Sequence, residues 1–137
     1  MPRFGQNQTM KKNSFGAEVN VERDFRIGGG FYYGTYKFDW DEATKPRVTG
    51  AASLAGFAIG AGAQPNDLRW HGGDNDFVWI LQDNSILPLD AQGMFAVSQS
   101  AMAHEAAHVF AGRTIKESGS YTVDLQDDAL WPLVAPK

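Results

Sequence analysis

The chain contains no cysteine and only three histidines among its 137 residues. Without thiols it has neither a disulfide framework nor a thiolate metal site. The first twelve residues lack the apolar run of a secretion signal. Residues 48–66 carry no charge, but most of them are small or polar, which argues against a membrane span. These absences predict a folded globular protein, cytoplasmic unless it is built into a larger particle.

Basic residues are also few, and the formal net charge is −4. Residues 1–47 hold eight basic and six acidic residues, a balance of +2, whereas residues 48–137 hold four and ten, a balance of −6. This balance gives no reason to expect nucleic-acid binding. Arg3, Lys11 and Lys12 stand in a stretch without acids, so the sequence predicts a basic N-terminal arm that contacts an acidic neighbour or is simply solvated.

Short apolar stretches separated by glycine-rich and polar turns predict a mainly β protein. We expect a compact sandwich or barrel of about seven or eight short strands with one short helix near residues 100–111. The expected strands are residues 17–25, 31–40, 54–59, 77–81, 86–89, 94–97, 113–116 and 121–125. Turns are expected at the glycines 28–30 and at residues 83–85.

The domain organisation follows from the same pattern. Residues 1–14 are polar and without a period, which predicts an extended arm. Residues 15–125 form a single β-rich domain of ordinary size. Residues 126–137 contain Trp131 and two prolines, too irregular for a helix and too apolar to be left in water. We expect this tail to lie in a groove of its own subunit or of a neighbour.

The helix predicted near residues 100–111 contains His104-Glu105-Ala106-Ala107-His108, the HExxH spacing of zinc hydrolases. On a helix the two histidines lie one turn apart on one face, so both imidazoles can bind one metal ion. Glu105 lies about 100° round the helix, where it could polarise a bound water. The segment resembles the active helix of zincin metallopeptidases. That resemblance implies His104 and His108 as zinc ligands and Glu105 as the general base.

A catalytic zinc site also needs a third protein ligand. The only other histidine is His71, in a long loop, and no second helix is predicted downstream to carry a carboxylate. Asp127 or Asp128 could serve, and Asp128 completes the alternative ligand set. Otherwise the HEAAH residues form the solvated side of an amphipathic helix, and the protein has no cofactor and is not an enzyme.

A stripe of aromatic side chains predicts a contact surface or a core face. Tyr32, Tyr36 and Trp40 alternate with polar residues, as in a strand with one aromatic side. A platform for stacking sugars is the alternative reading. Together with Trp131 and the three basic residues of the arm, these aromatic residues are the predicted partner-binding set.

The β-rich pattern resembles capsid decoration (cement) proteins and other small virion proteins of tailed phages. The resemblance covers residues 54–125, with LAGFAI at 54–59, FVWIL at 77–81, GRTI at 112–115 and the closing strand 121–125. It implies a homo-oligomer, often a trimer in such proteins, on the capsid surface. Its partners would be the major capsid protein or other virion subunits, and its function would be to stabilise them without catalysis. The alternative is a small zinc-dependent metallopeptidase that uses the HEAAH motif.

Overall fold

Helices account for about half of residues 14–137, the part of the chain that the computed structural model describes. The elements in chain order are α1 (Phe15–Ile27), β1 (Phe31–Tyr33), β2 (Tyr36–Phe38), α2 (Thr44–Gly60), β3 (Val78–Ile80), β4 (Ile86–Pro88), α3 (Ala91–Ser118) and a 3₁₀ turn (Asp128–Leu130). β1 pairs antiparallel with β2, and β3 with β4, as two separate hairpins. The predicted mainly β sandwich or barrel is therefore wrong.

Four of the predicted strands are helical because their buried residues recur with the helical period. Of the four buried positions of α1, the first three are Phe15, Val19 and Glu22, spaced by four and three residues. Phe25 of the supposed apolar face is 46% exposed. Residues 54–59 belong to α2, 94–97 to the start of α3 and 113–116 to its end. The predicted strand 121–125 is a series of turns. The strands predicted at residues 77–81 and 86–89 are present in shorter form as β3 and β4, and they pair with each other across the predicted turn at residues 83–85.

The long helix α3 organises the fold, and the predicted short helix at residues 100–111 is only its middle. α3 begins at Asp90, whose carboxylate accepts a hydrogen bond from the Gly93 amide at 2.7 Å, a standard N-cap. It ends at Gly119, which adopts the left-handed conformation with φ 67°. Gly112, which directly follows the predicted helix of residues 100–111, lies buried within α3 against α1. The 28 residues span about 42 Å.

The other two helices pack on different halves of α3. The first half of α3 and α2 run antiparallel, because Gly56 lies beside Phe95 at one end and Lys45 contacts Glu105 at the other. Together with both hairpins they enclose the larger core, which contains Phe31, Phe38 and Met94. The second half of α3 packs on α1, and a smaller core forms there. Its buried members are Phe15, Val19, Ile115, Leu125 and Trp131.

One glycine fixes the join between α1 and the first hairpin. Gly30 has φ +109°, and a side chain there would lie 2.6 Å from the Phe38 carbonyl oxygen. The triple glycine therefore ends a helix and admits a close backbone approach, where the sequence predicted a reversal between two strands. Of the helices that the structure describes, none is both long and apolar enough to cross a membrane.

Candidate functional site

The HEAAH side chains lie at the centre of α3, where the fold packs each against a different neighbour. His104 and His108 face α1 and the C-terminal tail, and their ring centroids are 4.5 Å apart. Glu105 faces the start of α2. The predicted helical geometry is confirmed, with the two histidines one turn apart.

Both histidine rings are held by backbone carbonyl groups. His104 Nε2 lies 3.0 Å from the Ile27 oxygen, and His108 Nδ1 lies 2.8 Å from the His104 oxygen. Because a carbonyl oxygen only accepts, these nitrogens carry the protons. His108 is 1% exposed, and its ring stacks on Trp131 at 6.5 Å. Its Nε2 is buried, with no hydrogen-bond partner among residues 14–137.

Glu105 connects α3 to Trp40, which precedes α2, and to Lys45, in the first turn of α2. Its Oε1 accepts a hydrogen bond from the Trp40 indole at 3.0 Å and pairs with Lys45 Nζ at 2.8 Å. The Lys45 ammonium also lies over the Trp40 ring, 5.7 Å from its centroid. These hydrogen bonds hold the pKa of the Glu105 carboxyl below its usual range, so it is ionised and doubly engaged. A general base must instead be able to take up a proton.

Among the residues that the structure describes, the donor atoms around the two histidines do not make up the ligand set of a catalytic zinc site. Asp128, the predicted third ligand, is 95% exposed and pairs with Arg26 at 2.9 Å. His71 packs against Trp70 and Phe77 in the loop before β3. Across residues 14–137, no three His, Cys, Asp or Glu side chains come together as a metal-binding group. Two imidazoles alone fall short of the three protein ligands that such a site uses.

Burial lowers the pKa of both histidines. Desolvation lowers the pKa of His104, against the opposing effect of its hydrogen bond to Ile27. The pKa of His108 is also lowered by burial, and the nearby Arg26 guanidinium adds to the effect. The folded state therefore favours the neutral rings, and protonation favours unfolding.

We expect stability to fall on mild acidification. A His pKa that is lower in the folded state than its ordinary value of 6.5 gives stability that is present above pH 6.5 and lost as the pH falls towards the folded-state value. Urea unfolding followed by far-UV circular dichroism from pH 8 to about 5 measures it. His108→Leu should flatten the curve near pH 6, and an unchanged midpoint from pH 8 to 5 in the natural chain would contradict the prediction.

The predicted partner-binding residues do not form one surface. Arg3, Lys11 and Lys12 lie outside the described residues. Two of the aromatic residues, Trp40 and Trp131, are core side chains with 3% and 5% of their surface exposed. The other two lie on the first hairpin, where Tyr32 is half-buried beneath Lys37 and Tyr36 is exposed.

The sequence reasoning missed a set of exposed apolar side chains on the helices. Phe95, Met102 and Val109 follow one another at intervals of seven residues and lie on one side of α3, with Phe110 at the edge. We call these four residues the α3 stripe. They are 42%, 57%, 46% and 65% exposed, respectively. The interval of seven was visible in the sequence, but it could be recognised only once residues 94–97 were assigned to a helix.

A groove between α2 and α3 continues the α3 stripe. Its volume is about 250 Å³, and Phe95 and Met102 belong to both groove and stripe. Val48 and Ala52 of α2 line it from the other helix, and Trp40 also contributes to its lining. Three small polar residues, Thr49, Ser53 and Ser98, complete the lining. Such an apolar groove suits the side chains of an amphipathic helix.

Residues 14–137 form three helices and two hairpins. The HEAAH residues are engaged in internal contacts, and several large apolar side chains of the helices lie on the surface. Residues 10–129 match the model of a family described as a domain of unknown function (DUF4376), and the chain belongs to that family. No curated protein and no solved structure matches the chain.

Proposed function

We propose that the chain is a non-catalytic structural protein that binds neighbouring subunits in a large assembly, and that this assembly is a virion. The α3 stripe is the observation that carries the proposal. Large apolar side chains left in water at regular intervals on a rigid helix cost solubility, and contact with a partner removes that cost. The engaged HEAAH side chains add support, because each already has a role in the stability of the fold.

The occupant that fits the stripe is an amphipathic helix of another subunit. A spacing of seven residues matches the interval at which two helices meet along a left-handed crossing. Phe95, Met102 and Val109 would pack between the apolar side chains of that helix, and the groove beside α2 would receive one or two of them. The exposed Arg113–Glu117 ion pair near the end of the stripe provides a polar rim.

The likeness to decoration proteins gives the proposed function less support than the sequence suggested, because it was based on predicted strands. Three of the four stretches on which it was based, residues 54–59, 112–115 and 121–125, are helices or turns and not strands. The capsid surface, the major capsid protein as partner and the trimeric state therefore remain proposals. They now depend on the apolar surface and not on a shared strand pattern.

We expect the α3 stripe to be required for incorporation into particles. Met102→Asp together with Phe110→Asp places two charges in the contact, so incorporation should fall at least about tenfold, the effect of ~1.4 kcal/mol. Stability should change little, because both side chains are already exposed. Quantitative mass spectrometry of gradient-purified particles from the expressing cells measures the amount of chain bound.

Leu133→Asp is the matched control, since Leu133 is 91% exposed but lies in the C-terminal tail. If Leu133→Asp reduced incorporation as much as the double variant does, a specific role for the α3 stripe would be contradicted. Absence of the natural chain from every particle would contradict the virion proposal. About one zinc ion per purified chain, with hydrolysis abolished by Glu105→Gln, would instead establish the metallopeptidase alternative.

A further inference from the structure

The second hairpin has one strand edge that is protected and one that is open. In the pairing of β3 with β4, the Leu89 amide donates to the Phe77 oxygen and the Leu81 amide to the Ser85 oxygen. Residues 77, 79 and 81 therefore direct their backbone groups towards β4, and Val78 and Ile80 direct theirs away from it. Within residues 14–137 no backbone hydrogen bond reaches these outward groups of Val78 and Ile80.

The side chains also protect the β4 edge of the hairpin and leave the β3 edge unprotected. β4 carries Pro88, which has no amide hydrogen and so cannot donate to an added strand. β3 carries Val78 and Ile80, which are 41% and 62% exposed, with no charge, proline or bulge. Natural proteins usually block an edge of this kind with charged residues or proline. An edge that is both unpaired and apolar is a site where another strand can add to the sheet.

The sequence around β3 reads nearly the same in both directions. In residues 74–84, DNDFVWILQDN, Val78 mirrors Ile80 about Trp79 and Phe77 mirrors Leu81. Each acid in this stretch is mirrored by an amide side chain, as Asp76 is by Gln82, and no two acids coincide. When a strand pairs antiparallel with its own copy across a two-fold axis, every residue meets its mirror position. The mirrored sequence of β3 therefore pairs apolar with apolar side chains and acids with amides, and no two acids meet.

We infer that the β3 edge pairs antiparallel with β3 of a second copy of this chain, across a two-fold axis at Trp79. The pairing is confined to residues 78–80, because the next outward amide along the chain, that of Gln82, already donates to Lys37. It joins two hairpins into a four-stranded sheet. One face of this sheet carries Val78, Ile80 and Ile86 from each copy, three side chains that all lie on the exposed face of the hairpin.

This inference rests on the proposal that the chain works by binding protein, and it names one partner on a surface separate from the α3 stripe. Sedimentation of the full chain at about 100 µM should show a dimer. Ile80→Lys places a charge at the paired edge and should weaken dimerisation at least tenfold. Ile86→Lys is the matched control, because Ile86 is as exposed but lies on β4, and it should leave the dimer in place.

Disulfide formation tests the register without competition from other thiols, because the chain has no cysteine of its own. Position 78 of one copy would face position 80 of the other with Cα atoms about 5.5 Å apart, within the range of a disulfide. A mixture of Val78→Cys and Ile80→Cys chains should therefore cross-link on mild oxidation, whereas each variant alone should not.

Three results would overturn the inference: a monomer at this concentration, a dimer that Ile80→Lys leaves intact, or single-cysteine variants that cross-link as readily as the mixture. A monomer that still enters particles through the α3 stripe would overturn self-pairing alone. Loss of incorporation from the stripe variants has no bearing on the dimer.

Discussion

Trp131→Ala should destabilise the protein by about 3–5 kcal/mol, although residue 131 lies only six positions from the C-terminus. The indole is 5% exposed and packs in the smaller core with Phe15 and Val19 of α1. Its Nε1 donates to the Leu125 carbonyl oxygen at 2.8 Å, and the Arg26 guanidinium lies 5.6 Å from the ring centroid. Removing the indole leaves a large cavity and leaves the Leu125 carbonyl group without this hydrogen bond.

Two further variants separate the causes of that loss. Trp131→Phe keeps most of the packing but loses the hydrogen bond, so about 1–2 kcal/mol should be lost. Leu133→Ala changes an exposed side chain of the same tail, and less than about 0.5 kcal/mol is expected. Urea unfolding followed by far-UV circular dichroism compares all three, since the helices supply the signal. A Trp131→Ala chain as stable as the Leu133→Ala chain would mean that the tail does not contribute to the core.

The sequence allowed a partial prediction of the fold. The second hairpin was predictable because its strands are short, apolar and separated by Asp83-Asn84-Ser85, where tertiary context does not compete with the turn. α1 was not predictable, because Ala17, Val19, Val21 and Phe25 alternate by chance along a helix whose first three buried positions are four and three residues apart. Only contact with α3 decides between the two periods.

Glycine obscured the other two helices. α2 contains four alanines, which favour a helix, but also Gly50, Gly56 and Gly60, which led to a prediction of strand and loop. At α3 the useful signal was Asp90, an N-cap ahead of Ala91, Met94 and Val97, yet residues 90–93 look equally like a turn. Propensity is a weak guide in both places, because packing against neighbouring helices supplies most of the stability.

The candidate site was predictable in position but not in its surroundings. The HEAAH spacing correctly placed two histidines one turn apart on a helix. The partners of those side chains come from Ile27, Trp40, Lys45 and Trp131, which are distant in sequence and which no local pattern connects to α3. The α3 stripe was hidden for the same reason, since exposure depends on which side of α3 the other helices cover.

Glu105→Ala should reduce the free energy of unfolding by about 2–3 kcal/mol, because it leaves the buried Trp40 indole N–H without an acceptor and the Lys45 ammonium without its closest anion. Glu105→Gln can still accept from Trp40, so it should lose only about 1 kcal/mol. Met102→Ala, one turn away and exposed, should cost less than either. Urea unfolding at pH 7 gives the three values.

The same variants distinguish a structural from a catalytic glutamate. A hydrolase that uses Glu105 as its base should lose its activity with Glu105→Gln while its stability hardly changes, since active-site carboxylates are seldom held for stability. If Glu105 instead joins α2 to α3, the stability should fall in two steps. Glu105→Gln removes the charge and lowers it a little, and Glu105→Ala also removes the hydrogen-bond acceptor and lowers it further.

The stabilising contribution of Glu105 should also disappear in acid, because the pKa of Glu105 is lowered in the folded state by Lys45 and Trp40. The stability difference between the natural chain and Glu105→Gln is therefore present above about pH 4.5 and lost below it. A difference that is absent at pH 7 would show that the network of Glu105, Lys45 and Trp40 does not stabilise the fold.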